Sequence, residues 1–288
     1  MRPCSPGTGR SRRRRRDAPQ PDFVSDNEGS RWGMGLFDEH VARTEGYIEE
    51  MRALGRQVRE LSSVGGSSRA QPFKVGPGAG TGLVMKSETF LELGSPTAGS
   101  CALALFTEQP SHVADGRVRL IGPDIQKASG GTLPFGQVII SGGEALSEAD
   151  YPALVESQRV GDQIEGFMVK SAPGRIWCRV SREVAQKGFS FGFLGSALIE
   201  LTKAQVPGAS AVEVLFVTSS KADLEPLGEI AAAVGEVARD MRERLWAERG
   251  IDISECPFGG HCGSCADKAV CDEVRKLART RRTLAQRV

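Results

Sequence analysis

Four cysteines close together near the carboxyl end constrain this chain more than any other feature. Four thiolates in so short a segment need a shared cation, because without one their charges would repel one another. Their spacing, C-x5-C-x2-C-x5-C, contains a single C-x2-C knuckle, whereas structural zinc sites usually pair two. Nearby glycines allow the backbone to wrap closely around inorganic sulfide. We therefore expect a [4Fe–4S] cluster, with zinc as the alternative, on Cys256, Cys262, Cys265 and Cys271.

Charge is divided unevenly along the chain. Residues 1–33 contain eight arginines and four acidic residues, and we expect a disordered basic tail there, with Met34 as a candidate start. Residues 34–288 contain 29 basic and 32 acidic residues, so nucleic acid is not an expected partner. The sequence has no run of about 18 apolar residues and no secretory signal, and we expect a cytoplasmic protein without a membrane partner.

The central region alternates short apolar runs with turn signals. Runs of strand length occur at 82–85, 101–106, 117–121, 137–141, 175–180 and 211–218, with helical patterns between some of them. This pattern predicts an α/β fold, a mixed-sheet α+β layer domain, over residues 71–250. A long helix with one apolar stripe begins after Ser220 and closes that domain at Gly250.

Two flanking regions complete the predicted organisation. Apolar residues recur at helical spacing over 36–62, which predicts an amphipathic helix that docks on its own domain and is joined to it by a linker up to residue 70. Residues 251–288 form the cysteine-rich metal-binding module. They end in a basic helix, which is either solvated or a docking surface for an acidic partner.

One short stretch combines cations with an aromatic ring. In a strand, Arg175, Trp177 and Arg179 share a face, and Arg182 follows directly. Guanidinium groups suit phosphates and an indole suits a purine, so an adenine nucleotide or coenzyme A would match this stretch. The alternative is a half-buried strand with an ordinary charged face.

Five segments of the central region, taken together, resemble a known family. They include I-G-P-D-I at 121–125 and W-C-R-V-S-R-E-V-A-Q-K-G-F at 177–189, together with segments at 90–95, 164–168 and 212–218. Over about residues 72–220 the chain resembles the middle domain of acetyl-CoA synthase, the beta subunit of the CO dehydrogenase/acetyl-CoA synthase complex.

The resemblance implies a role in acetyl-CoA metabolism. That family joins a methyl group, CO and coenzyme A at a nickel site in a further domain, where a Cys-Gly-Cys element helps to bind nickel. This sequence has no Cys-x-Cys, so the resemblance implies a component that works with other protein subunits or an electron-transfer partner and does not make acetyl-CoA alone. Family members handle coenzyme A through arginines of the middle domain, which implies contacts at Arg175, Trp177 and Arg179. The family usually has Lys at the position of Arg182, so for this residue the resemblance implies only a positive charge.

Two other functions stay open at this point. The chain could be a non-catalytic adaptor or assembly protein whose cysteine module is a structural metal site. It could also be the iron–sulfur subunit of another oxidoreductase that acts on a coenzyme A thioester.

Overall fold

The structure is a computed structural model, and it describes residues 37–61, 73–128, 130–146, 150–248, 269 and 272–273. The basic tail, the linker and the four clustered cysteines lie outside the described residues, so the expectations for them stay predictions. No helix in the described ranges is both long enough and apolar enough to cross a membrane.

The described chain contains both helices and strands, as the α/β prediction requires, but the two do not alternate regularly, because six strands follow the first α-helix before the second begins. The helices are α1 Asp38–Ala53, α2 Tyr151–Glu156, α3 Arg182–Gln186, α4 Phe191–Gln205 and α5 Lys221–Glu248. The strands are β1 Val58–Leu61, β2 Thr89–Leu93, β3 Ser100–Thr107, β4 Val118–Ile121, β5 Gly131–Leu133, β6 Phe135–Gly143, β7 Phe167–Ala172, β8 Arg175–Ser181 and β9 Ala209–Val217.

The strands form two mixed sheets, which confirms the predicted mixed-sheet class. The larger sheet has the order β1-β4-β9-β6-β3, with parallel pairs β4–β9 and β6–β3 and antiparallel pairs β1–β4 and β9–β6. The smaller sheet has the order β5-β2-β8-β7, in which only the β5–β2 pair is parallel.

Three layers enclose the two larger of three apolar clusters in the described residues. Helices α1 and α5 pack on one face of the five-stranded sheet, where alternate residues of β3 such as Leu103 and Leu105 are buried. Helix α4 and the four-stranded sheet cover the other face, against residues such as Phe135 and Phe216. Strands buried on both faces explain why their sequences are continuous apolar runs.

The N-terminal helix is shorter than predicted. It ends at Ala53, because Gly55 adopts a φ of +77° and reverses the chain. The remaining part of the predicted helix is β1, which pairs antiparallel with β4 and places Val58 opposite Ile121. Docking of the helix on its own domain is confirmed, since Ile48 and Met51 of α1 are buried in the core that it shares with the five-stranded sheet and α5.

The predicted strand at 82–85 is also wrong. Leu83 and Met85 are exposed while Val84 is buried, and the next strand of the chain, β2, begins only at Thr89. The other five predicted strands are confirmed as β3, β4, β6, β8 and β9.

Candidate functional site

Strand β8 presents the predicted row of polar side chains on one face. Along the strand, the buried residues Ile176, Cys178 and Val180 alternate with these polar side chains. Pairing of β8 with β2 on one side and β7 on the other holds this alternation in place. Arg175, Trp177 and Arg179 therefore share a face, as the sequence predicted.

A groove of about 660 Å³ opens beside Arg175 and Trp177. Its walls are β8, β7, the end of β2 and the first turns of α5. At the base of the groove, Ser100 of β3 links the two sheets. Its hydroxyl donates to the carbonyl of Ile176 on β8 and accepts from the N–H of Ile176 at 2.8 Å. Gly94, with a φ of +73°, lies so close to this carbonyl that a Cβ would be 2.3 Å from its oxygen.

Three cations and two carboxylates line the groove. The cations are Arg175 on β8, Lys170 directly opposite Trp177 on β7, and Lys221 in the first turn of α5, and the carboxylates are Glu92 and Glu225. Within the described chain none of the three forms an ion pair. Unpaired cations converging on one concave surface favour a phosphate-bearing ligand.

The indole of Trp177 is fixed by two neighbours. Its Nε1–H donates to Oε1 of Glu92 at 2.6 Å, and the guanidinium carbon of Arg179 lies 4.5 Å from the ring centroid. Arg179 also donates to the carbonyl of Val84 at 3.1 Å and lies 3.6 Å from Glu92. Arg179 therefore covers one face of the indole.

Arg182 lies apart from the groove. It is the exposed first residue of α3, which begins just past the end of β8. A strand of this length separates Arg175 from Arg182 by about 20 Å, more than one diphosphate can bridge. Of the four residues predicted together, the structure places Arg175 and Trp177 in the groove, Arg179 behind the indole and Arg182 outside.

Sequence reasoning missed Lys170 and Lys221. Lys170 is the first exposed residue of β7 after three buried ones, a signal that becomes visible only when the strand itself is recognised. Lys221 belongs to the site because the start of α5 is anchored above the groove. The Tyr47 hydroxyl donates to the carbonyl of Asp223 at 2.8 Å, and Arg56 forms an ion pair with the Asp223 carboxylate at 3.1 Å.

The cysteines of the described chain are structural. Burial raises the pKa of Cys178 well above its usual value and that of Cys101 to about 12. Both thiols are therefore protonated at neutral pH and serve as packing groups. Within the described ranges, no three metal-ligating side chains come together. Cys256, Cys262, Cys265 and Cys271 lie outside those ranges.

Comparison with known proteins gives a consistent family match. The model of the family described as CO dehydrogenase/acetyl-CoA synthase complex beta subunit matches residues 71–222, just over half of the chain. This range contains β2 to β9, Trp177 and the three groove cations.

Curated relatives agree with the family model. The chain is 33% identical over 187 residues to subunit beta 2 of the acetyl-CoA decarbonylase/synthase complex of Methanosarcina acetivorans, which covers 63% of this chain and 38% of the relative. It is 30% identical over 204 residues to the beta subunit of the same complex from Methanopyrus kandleri, which covers 69% of this chain and 42% of the relative. The chain thus spans about two fifths of the length of these relatives, and both relatives are subunits of a larger complex.

Proposed function

The chain belongs to the family of the CO dehydrogenase/acetyl-CoA synthase complex beta subunit, and from this we propose that it is a component of such a complex that binds coenzyme A in the groove beside Trp177. In the same role it carries a [4Fe–4S] cluster on its four clustered cysteines and works in the cytoplasm with other subunits or an electron-transfer partner. The names of the relatives, each a subunit of the acetyl-CoA decarbonylase/synthase complex, support assembly with other chains.

The observation that carries the coenzyme A proposal is the set of three unpaired cations around one indole. Coenzyme A bears a diphosphate and a further phosphate on its ribose, and Arg175, Lys170 and Lys221 supply a cation from each of three elements. Since Arg179 occupies one face of Trp177, the purine stacks on the other. In this arrangement Glu92 and Arg179 are positioning residues, which hold the indole and do not touch the ligand.

Substitution of one groove cation tests this assignment. Arg175→Ala is expected to weaken coenzyme A binding about tenfold or more, because it removes a charge-assisted hydrogen bond to phosphate. Arg182→Ala is the matched control, since Arg182 carries the same charge at the other end of β8 and does not line the groove. Isothermal titration calorimetry on the full chain measures both. Equal losses in the two variants would contradict a site at this groove.

The four clustered cysteines form a donor set that suits an iron–sulfur cluster. We propose that Cys256, Cys262, Cys265 and Cys271 hold it. Four thiolates can ligate the four irons and offset their positive charge, and a single C-x2-C knuckle is not the usual zinc pattern. When bound, the cluster supplies one-electron redox chemistry. The basic residues of 272–286 would then give an electron-transfer partner a charged surface on which to dock.

Metal analysis after anaerobic purification tests the cluster. We expect about four irons and four sulfides per chain and a spectrum that changes on reduction. Cys262→Ala is expected to abolish both, whereas Cys4→Ala, which removes a cysteine outside the spacing pattern, retains them. One zinc per chain with no reducible chromophore would exclude electron transfer and favour the adaptor function.

A further inference from the structure

A second groove lies on the other side of the β7–β8 turn. It has a volume of about 620 Å³ and runs between the edge strand β3, helix α2 and the middle of α5. Ser171 and Ala172 at the end of β7 line both this groove and the cationic one beside Trp177, so the two grooves share a wall. Helix α5 borders both.

The two grooves differ in chemistry. The first is lined by three cations and two carboxylates. Most of the side chains around the second are small or apolar, including Leu103, Pro152, Val155, Ala231 and Val234, and its charged residues, Glu156 and Arg159, pair with each other. A ligand that spans both grooves would therefore have a phosphate-rich end and an uncharged arm.

The second groove also offers backbone hydrogen-bonding groups. Among the described residues, strand β3 lies at the edge of its sheet and pairs with β6 alone. The N–H of Ala102 points away from β6, because it donates to the carbonyl of Gly174 at 3.0 Å. Backbone groups of a strand alternate in direction, so Ala104 directs its N–H and C=O to the same open edge, where it lines the groove.

We propose that the second groove binds the pantetheine arm of coenzyme A. The arm has a gem-dimethyl group next to the diphosphate and two amide groups beyond it, which match the apolar side chains and the backbone groups of β3 at Ala104. The nucleotide lies in the first groove, and the arm passes Ser171 and Ala172 to reach the second. This inference rests on the proposed coenzyme A function and adds a subsite to it.

Two glycines of α5 allow each groove to be filled separately. Gly228 lines the first groove and Gly235 the second, and a Cβ at either position meets nothing within 4 Å. They are seven residues apart, which is two turns and about 10 Å along the same helix face. Replacement of glycine favours a helix and a Cβ is accommodated at both positions, so Gly228→Phe and Gly235→Phe form a matched pair of variants that we expect to retain the fold.

Calorimetric titration of the full chain with coenzyme A and with 3′-phospho-ADP, which is coenzyme A without its pantetheine arm, tests the subsite. The unmodified chain is expected to bind coenzyme A at least about tenfold more tightly than 3′-phospho-ADP. Gly235→Phe should remove this difference and leave the affinity for 3′-phospho-ADP unchanged. Gly228→Phe should weaken the binding of both ligands.

The outcomes separate the two proposals. If Gly235→Phe leaves the affinity for coenzyme A unchanged while Gly228→Phe lowers it, the pantetheine subsite is overturned and the nucleotide groove stands. Equal affinities of the unmodified chain for the two ligands would overturn the subsite in the same way. If the unmodified chain binds neither ligand, the proposed coenzyme A function fails, and the subsite fails with it.

Discussion

Arg119 of β4 is a buried charge that links a helix to a sheet. Only 2% of its side chain is exposed, and it forms two hydrogen bonds with the carboxylate of Glu45 on α1, at 2.8 and 2.6 Å. It also contacts Glu213 of β9 at 3.2 Å, and Arg117 donates to the other oxygen of that carboxylate at 2.7 Å. A buried guanidinium without such partners would cost several kcal/mol. The network therefore fixes where α1 lies on the sheet.

Loss of the Glu45 charge is expected to weaken this link in a pH-dependent way. Glu45→Gln should lower the free energy of unfolding at pH 7 by about 1–2 kcal/mol, less than for a fully buried pair because Glu45 is 38% exposed. Although burial raises the pKa of Glu45, the hydrogen bonds and charge of Arg119 lower it overall. A lowered pKa in the folded state stabilises the fold above the unfolded pKa of about 4.3, and this contribution is lost as the pH falls through the folded value.

Urea unfolding at pH 7 and at about pH 3.5 measures this effect. The difference between the unmodified chain and Glu45→Gln should shrink at the lower pH. Glu49→Gln is the control on the same helix, because Glu49 forms only an exposed pair with Arg52, and its loss should cost less than about 0.5 kcal/mol. A pH-independent effect of Glu45→Gln, or equal effects of both variants, would contradict the role of the network.

The shared face of Arg175, Trp177 and Arg179 could be predicted because it depends only on the two-residue period of a strand. The positions of the other two groove cations, Lys170 and Lys221, could not be predicted from the sequence. Lys170 lies opposite Trp177 because of the register of β7 with β8. Lys221 lies at the groove because α1 contacts the start of α5 and holds it there. Both depend on tertiary pairing that no local pattern contains.

At the scale of elements, helix α4 shows how close packing depends on one small residue. Gly195 of α4 faces Val118 of β4, and a Cβ at this glycine would lie 2.5 and 2.6 Å from the two methyl carbons of that valine. The helix approaches the sheet this closely only because the side chain is absent. Gly46 of α1 is the opposite case, since it is exposed and a Cβ there meets nothing within 4 Å.

Alanine at these two glycines is expected to have opposite effects on stability. Gly195→Ala should lower the free energy of unfolding by about 1–3 kcal/mol, because the added methyl group overpacks the interface with β4. Gly46→Ala should raise it by up to about 1 kcal/mol, because alanine favours the helix and clashes with nothing. Denaturant unfolding of both variants measures the two changes. Stabilisation by Gly195→Ala would show that α4 lies farther from β4 than described.

The most deeply buried strands were the easiest to predict from the sequence. Strands β3, β4, β6 and β9 are buried nearly throughout and are visible as apolar runs. Strand β1 is short and follows α1 closely, so its apolar residues continued the helical spacing, and only the turn at Gly55 separates the two. The three-residue β5 has no pattern of its own and exists through its pairing with β2.

At the scale of the whole molecule, both grooves are products of layer packing. Each lies where α5 crosses the ends of strands from the two sheets, and the β7–β8 turn separates them. The class of the fold was predictable from short apolar runs mixed with helical patterns, and the family from motifs distributed over the centre of the chain. The positions of the grooves were not, because they depend on how α5 lies against two sheets at once.

The most direct test of the coenzyme A site is a crystal structure of the chain grown anaerobically with coenzyme A. We expect density for the purine on the face of Trp177 opposite Arg179, with phosphates among Lys170, Arg175 and Lys221. Ordered coenzyme A bound elsewhere, for example at Arg182, or an empty groove in a crystal grown at saturating ligand, would contradict it.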